Sequence, residues 1–186
     1  MIKNQGTKKL ETERLILRKF ENNDAESFYS NVGSDEEVTK FVVWNKHKDL
    51  DVTKKAVEKW VENYKNDYVY YWAVELKETN EVIGSINCVN VDIKNKTCEL
   101  GYAFGSKFWN KGYATETLNK IIEYLMNDEG YYTIYSSHLS LNSASGKVMK
   151  KCGMKYEGRL KNRMINKNTE KYDDLLSYSI SNLNQK

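Results

Sequence analysis

The sequence contains no proline among its 186 residues. Glycine, asparagine and local hydrogen bonding must therefore set its turns and helix ends. Cysteine is scarce: Cys88, Cys98 and Cys152 stand far apart, with no C-x-x-C pair. An odd, scattered set excludes a disulfide scaffold and a zinc knuckle and reads as buried thiols in a reducing cytosol. The two histidines, His47 and His138, have no carboxylate or cysteine at a metal-ligand or nucleophile-relay spacing. Both read as incidental, and no metal site is expected. No run of about 18 apolar residues occurs, so no membrane span is expected. Neither sign of charge dominates: 29 Lys and Arg are interspersed with 26 Asp and Glu, for a net charge of +3. That balance argues against a nucleic-acid partner and suits an anionic cofactor. The start, Met1 to Lys9, lacks the apolar stretch of a signal peptide, so a cytoplasmic location is expected and Asn95-Lys96-Thr97 reads as a hairpin turn rather than a glycosylation site.

With 40% hydrophobic and 30% charged residues, the chain has the composition of a globular protein. Residues 1–9 read as a flexible polar lead-in, and 10–186 as a single domain. A strand at Leu15–Phe20 precedes a helix capped by Asn23, and a second short helix starts near Ser34 or Asp35. A longer helix from Asp51 carries Val57, Trp60, Val61 and Tyr64 on one stripe. The period then shortens to two. Tyr68–Leu76, Val82–Val91 and Thr97–Phe104 read as consecutive antiparallel strands, with Asn80 suited to a left-handed turn position. A helix opening near Gly112 and ending near Gly130 leads to the strand Tyr132–Ser137. Asn142 caps a further helix that ends at Gly153, and two strands, Met154–Ile165 and Thr169–Ile180, close the chain. The strand–helix–strand unit at 97–137 fits a parallel crossover. The expected fold is thus α/β (α+β): a mixed, mostly antiparallel sheet of about seven strands, flanked by helices on both faces.

One stretch points to chemistry. From Glu99 to Leu118 the chain reads as strand, polar loop and amphipathic helix. The helix start offers unpaired backbone amides and the positive end of the helix dipole, which together favour an anion. On the strand, alternation puts Glu99, Gly101 and Ala103 on one face, and Cys98, Leu100, Tyr102 and Phe104 on the other. A carboxylate beside two positions with little side chain leaves room for an extended ligand; a bulge or close helix packing serves glycine equally well. The loop is neither a P-loop nor a dinucleotide fingerprint.

The segment "ELGYAFGSKFWNKGYATETL" resembles the acetyl-coenzyme A motif of the GNAT superfamily of N-acetyltransferases, and "NSASGKVMKKCGMKYEGRLKN" resembles that superfamily's second cofactor motif. The opening "LETERLILRKFENNDAESFY", the strand "EVIGSI" and the closing "KYDDLLSYSI" are similar to the ribosomal-protein-alanine and spermidine-type branch. The family loop pattern Q/R-x-x-G-x-G/A stands here as Trp109-Asn110-Lys111-Gly112-Tyr113-Ala114, with Trp109 in place of Gln or Arg and Ala114 in place of the second glycine.

The resemblance implies acetyl-coenzyme A as cofactor and coenzyme A as product. It implies that amides from Asn110 to Thr115 hold the pyrophosphate, and that Tyr102, Ala103 and Phe104 pair through their backbones with the pantetheine arm. It places Asn142 beside that arm and Ser145 near the sulfur, with Lys147 reaching a nucleotide phosphate. Glu99 is the expected general base, the backbone near Ala103 the donor to the developing oxyanion, and Ser145 or a tyrosine the proton source for the thiolate. Trp44 is the expected acceptor-pocket residue. The acceptor is a primary amine, with protein N-termini ahead of polyamines and other small amines; a non-catalytic acyl-coenzyme A sensor is the rival reading. Related enzymes often form homodimers, although no apolar stripe here demands one.

Overall fold

The computed structural model describes residues 2–167 and 169–182; Met1 and residues 183–186 of the expected domain span lie outside them. One eight-stranded sheet runs in the order β1-β2-β3-β4-β5-β6-β8-β7. Its strands are β1 (Leu10–Glu11), β2 (Leu15–Arg18), β3 (Tyr71–Leu76), β4 (Glu81–Asp92), β5 (Thr97–Phe104), β6 (Thr133–Leu139), β7 (Lys155–Asn166) and β8 (Lys171–Ser181). The helices are α1 (Ala25–Phe28), α2 (Glu36–Thr39), α3 (Leu50–Asn63), α4 (Tyr113–Glu123) and α5 (Ser143–Lys151). The strand beyond the expected seven is β1, whose two residues pair with Leu17 and Ile16. It is too short to show a periodic pattern.

Every neighbouring pair is antiparallel except β5 and β6, which run parallel as the crossover requires. Helices cover both faces. Leu100, Leu118, Ile121, Ile134 and Met149 belong to the larger core, which includes α4 and α5 residues. Phe28, Val57, Ala73, Val82 and Ala103 belong to a second core that includes α1 and α3 residues. The two faces of β5 divide between these cores as alternation predicts: Cys98, Leu100 and Phe104 in one, Ala103 in the other.

Helix starts follow side-chain capping. The Asp35 carboxylate accepts from the amides of Glu37 and Val38 to start α2, and Asp49 accepts from Val52 to start α3. The helix α1 is entered through a 3-10 turn, Asn22–Asp24, rather than capped by Asn23, because the Glu21 amide donates to the Asp24 carboxylate at 2.7 Å. Gly130 (φ +92°) ends the π-helical stretch Tyr124–Glu129 that continues α4, and Gly153 (φ +78°) follows α5, both in the left-handed conformation.

Residues 2–8 make contacts with the body of the sheet and its helices. Ile2 is 6% exposed and joins the larger core. The Gln5 amide donates to the Glu129 carboxylate at 3.0 Å, the Thr7 hydroxyl donates to the Val69 carbonyl, and the Trp72 indole donates to the Lys8 carbonyl. Glu129 is fully buried, and it also accepts from the hydroxyls of Tyr70 and Tyr124, each at 2.8 Å. The polar segment is ordered because it satisfies a carboxylate that burial would otherwise make costly.

Candidate functional site

Strands β5 and β6 stay paired for only three positions, Thr97↔Thr133, Cys98↔Ile134 and Glu99↔Tyr135. One more link follows, from the Ser136 hydroxyl to the Leu100 carbonyl at 2.7 Å. Beyond it, β5 continues to Phe104 with no backbone partner on that side among the described residues, and the two strands form a V with Glu99 at its apex. The register with β4 decides which backbone groups face the opening. The Gly105 amide donates to the Ile83 carbonyl, so odd-numbered β5 residues direct their N–H and C=O toward β4. Tyr102 therefore presents both its N–H and C=O to the open side. Phe104 presents its N–H, its carbonyl being taken by the Trp109 indole at 2.7 Å. Ala103 faces β4, opposite Ser85. The backbone donor expected near Ala103 thus falls to its neighbours.

Past β5, Trp109, Asn110 and Lys111 carry the chain to α4. Asn110 (φ +60°) and Gly112 (φ +85°) both take the left-handed conformation, and Gly112 is the N-cap. Unlike α2, α3 and α5, the helix α4 has no side-chain cap. The first amides of Tyr113, Ala114 and Thr115 are left for another acceptor. A long ligand with an anionic end and an amide-bearing arm fits this geometry. The helix start takes the anion, and the free edge of β5 takes the arm. Acetyl-coenzyme A meets both requirements.

Glu99 is half-buried and doubly held. Its carboxylate accepts from the Asn90 side-chain Nδ2 at 2.5 Å and from the Ser137 hydroxyl at 3.2 Å. A bulge in β4 at Val89 places Asn90 opposite Glu99; bulges re-aim side chains in this way. Gly101, on the same face, lies close under two β4 side chains: a Cβ there would meet Val89 at 3.3 Å and Asn87 at 3.4 Å.

The other wall of the V is α5. The Asn142 side chain caps it, accepting from the Ser145 amide at 3.3 Å, and its own amide donates to the Ser145 hydroxyl at 3.2 Å. The Tyr102 hydroxyl reaches across to the Ser145 carbonyl at 3.2 Å, and burial raises its pKa. Ser145 and Tyr102 thus meet across the V. Lys147 does not join them. With Lys150, His138, Gly146 and Tyr178 it lines a separate hollow of about 240 Å³ between α5 and β8. Trp44 is half-buried against the second core, its ring 5.4 Å from His47, and its carbonyl accepts from Lys167 in the β7–β8 turn. His47 is tied to Thr53 at 2.7 Å and His138 to the Leu139 carbonyl at 2.7 Å.

Sequence reasoning missed a trio around the loop. Arg14, in the turn between β1 and β2, donates from Nη1 to the Lys111 carbonyl at 2.9 Å. Its guanidinium carbon lies 4.5 Å from the centre of the Tyr113 ring. Its Nε and Nη2 bind the Glu116 carboxylate at 2.7 and 2.6 Å. Glu116 also accepts from the Thr12 hydroxyl at 2.6 Å and the Arg14 amide at 3.0 Å. Burial pushes the Glu116 carboxyl up, but these hydrogen bonds and the guanidinium outweigh it and hold the group below its ordinary 4.5. The only sequence signal was an acidic residue in a first helical turn, which any helix favours.

The acetyltransferase (GNAT) domain model matches residues 14–155. The N-acetyltransferase YnaD of Bacillus subtilis, itself uncharacterised, is 31% identical over 88% of this chain and 91% of its own length. The ribosomal protein uS5-alanine N-acetyltransferase of Escherichia coli is 27% identical over 56% of this chain and 54% of its own. Among solved structures, a GNAT-family acetyltransferase from Bacillus anthracis superposes with a TM-score of 0.80 at 28% identity, covering 94% of this chain and 98% of that one. With a family model spanning most of its length and the fold of a solved member, the chain belongs to the acetyltransferase (GNAT) family, N-acetyltransferases that use acetyl-coenzyme A.

Proposed function

We propose that the chain passes the acetyl group of acetyl-coenzyme A directly to the free N-terminus of a protein or peptide, with Glu99 as general base. The observation that carries this reading is the place of Glu99, at the apex of the V and held there by Asn90 and Ser137. The cofactor supplies an activated thioester. The amides from Asn110 to Thr115 hold its pyrophosphate, and the Tyr102 backbone pairs with its arm. The amine approaches from the face of β5 that carries Glu99. Glu99 takes the proton the amine loses, through a water if the distance requires one. The N–H of Tyr102 or Phe104 donates to the acetyl oxygen as it gains charge. The Ser145 hydroxyl returns a proton to the departing sulfur. The protein N-terminus is favoured over small amines by likeness to the uS5-alanine enzyme. The three cysteines are free and buried or half-buried, which suits work in a reducing cytoplasm.

The test is thiol release from acetyl-coenzyme A in the presence of peptides with free N-termini, the same peptides blocked, polyamines and aminoglycosides. Release with free peptides alone supports the reading. Release with polyamines or aminoglycosides but not peptides moves the acceptor to small amines. Coenzyme A binding without release for any amine leaves a sensor and overturns the enzyme mechanism.

A further inference from the structure

We propose that Arg14 is a phosphate-binding residue of the cofactor site, and that Glu116 is the positioning residue that aims it. The inference rests on the reading above that the cofactor's pyrophosphate lies at the start of α4. Arg14 stands far from the loop in sequence, yet its guanidinium meets three successive loop residues. It donates to the Lys111 carbonyl, covers the Tyr113 ring, and brings Nη2 to 3.3 Å from where a Cβ on Gly112 would stand. That atom is thus beside the backbone whose uncapped amides form the anion site.

The donors of the group are divided. Nε and one hydrogen of Nη2 are committed to Glu116, and one hydrogen of Nη1 to the Lys111 carbonyl. Each Nη keeps a further hydrogen, and the side chain is 41% exposed. A planar guanidinium with free hydrogens on both Nη atoms suits a phosphate oxygen pair, and one already locked in place loses little entropy on binding. The lysines of the loop differ. Lys107 and Lys111 lie over the Phe108 ring, at 5.0 and 5.7 Å, on flexible stems.

Charge gives the arrangement a second effect. Glu116 sits in the first turn of α4, where a bare carboxylate would repel an incoming phosphate. Arg14 and Thr12 hold and neutralise it. Removing Arg14 therefore takes away a donor and unmasks a negative charge at the same place. A residue that only braced the loop would not couple to Glu116 in this sense.

The experiment compares calorimetric affinity for coenzyme A with that for pantetheine, which lacks the nucleotide and pyrophosphate. Arg14→Gln should weaken coenzyme A binding tenfold or more, and at least five times more than it weakens pantetheine binding. The double variant Arg14→Gln/Glu116→Gln should bind coenzyme A more tightly than Arg14→Gln alone. Equal losses for both ligands, or a double variant no better than the single one, would make Arg14 a structural brace and overturn the proposal. If Arg14→Gln does not fold, Arg14→Lys carries the same comparison, with a smaller loss again confined to coenzyme A. Wild-type protein that binds pantetheine as tightly as coenzyme A would instead show that the pyrophosphate placement itself is wrong, and Arg14 falls with it.

Discussion

Glu129→Ala should be among the most destabilising single changes in the chain, although no site residue touches it. The wild-type carboxylate is fully buried and receives the Tyr70 hydroxyl, the Tyr124 hydroxyl and the Gln5 amide. Tyr124 has a second acceptor in the Gly6 carbonyl at 2.9 Å and can turn to it. Tyr70 and Gln5 lose their partner. An orphaned buried phenol costs about 1–3 kcal/mol, and a lost hydrogen bond to a charged group about 1.5–3 kcal/mol. The expected total is about 3–5 kcal/mol, or roughly 6–20 °C in Tm for a chain of this size. Glu129→Gln, which keeps the shape and one acceptor oxygen, should cost about 1–2 kcal/mol. Equilibrium urea unfolding followed by far-UV circular dichroism measures both. Deleting residues 1–8 should destabilise comparably, since it removes Ile2 from the core and takes the Gln5 amide from Glu129 and the Lys8 carbonyl from the Trp72 indole. If Glu129→Ala and the deletion each fall within about 1 kcal/mol of wild type, the buried knot is not what holds the N-terminal segment.

Gly112→Glu should abolish coenzyme A binding, because it forces a side chain into a φ of +85° and sets a negative charge at the anion site; unchanged affinity in a folded variant would remove the loop from that role. Glu99→Gln should lower kcat about a hundredfold or more with little change in coenzyme A affinity; an undiminished kcat would take the base role from Glu99. Burial lowers the pKa of both His47 and His138 below the ordinary 6.5, so the fold prefers the neutral rings and the unfolded chain binds protons first as pH falls. Their contribution to stability is full above pH 6.5 and is lost below it. The urea midpoint should accordingly be lower at about pH 5.5 than at 7.5, and equal midpoints would count against the burial argument.

What the sequence made legible was local. Hydrophobic period marked the long strands and the helices α3, α4 and α5, and Asn80, Gly130 and Gly153 take the left-handed turns their residue types suggest. What it hid depends on partners remote in the chain. Gln5 and Glu129 are 124 positions apart, and Arg14 and Lys111 are 97 apart. No periodicity couples them. The alternation of β5 was readable, but which residues turn their amides to the V depends on the register with β4, set by pairs such as Gly84↔Phe104. Alternation alone does not tell that Ala103 turns its own amide to β4. Lys147 is a similar case: a helical wheel gives its flank, not the neighbour beside that flank, which is β8.

The short pairing of β5 with β6 makes the sheet two half-sheets joined along a brief seam, β1 to β5 on one side and β6 to β8 on the other. A ligand arm laid on the free edge of β5 supplies part of the ladder the chain itself leaves out. Occupancy and the integrity of the sheet then become one linked equilibrium, worth about 2.7 kcal/mol when free ligand stands a hundredfold above its Kd. Between turnovers, the seam beside the proposed site is left to its own three paired positions.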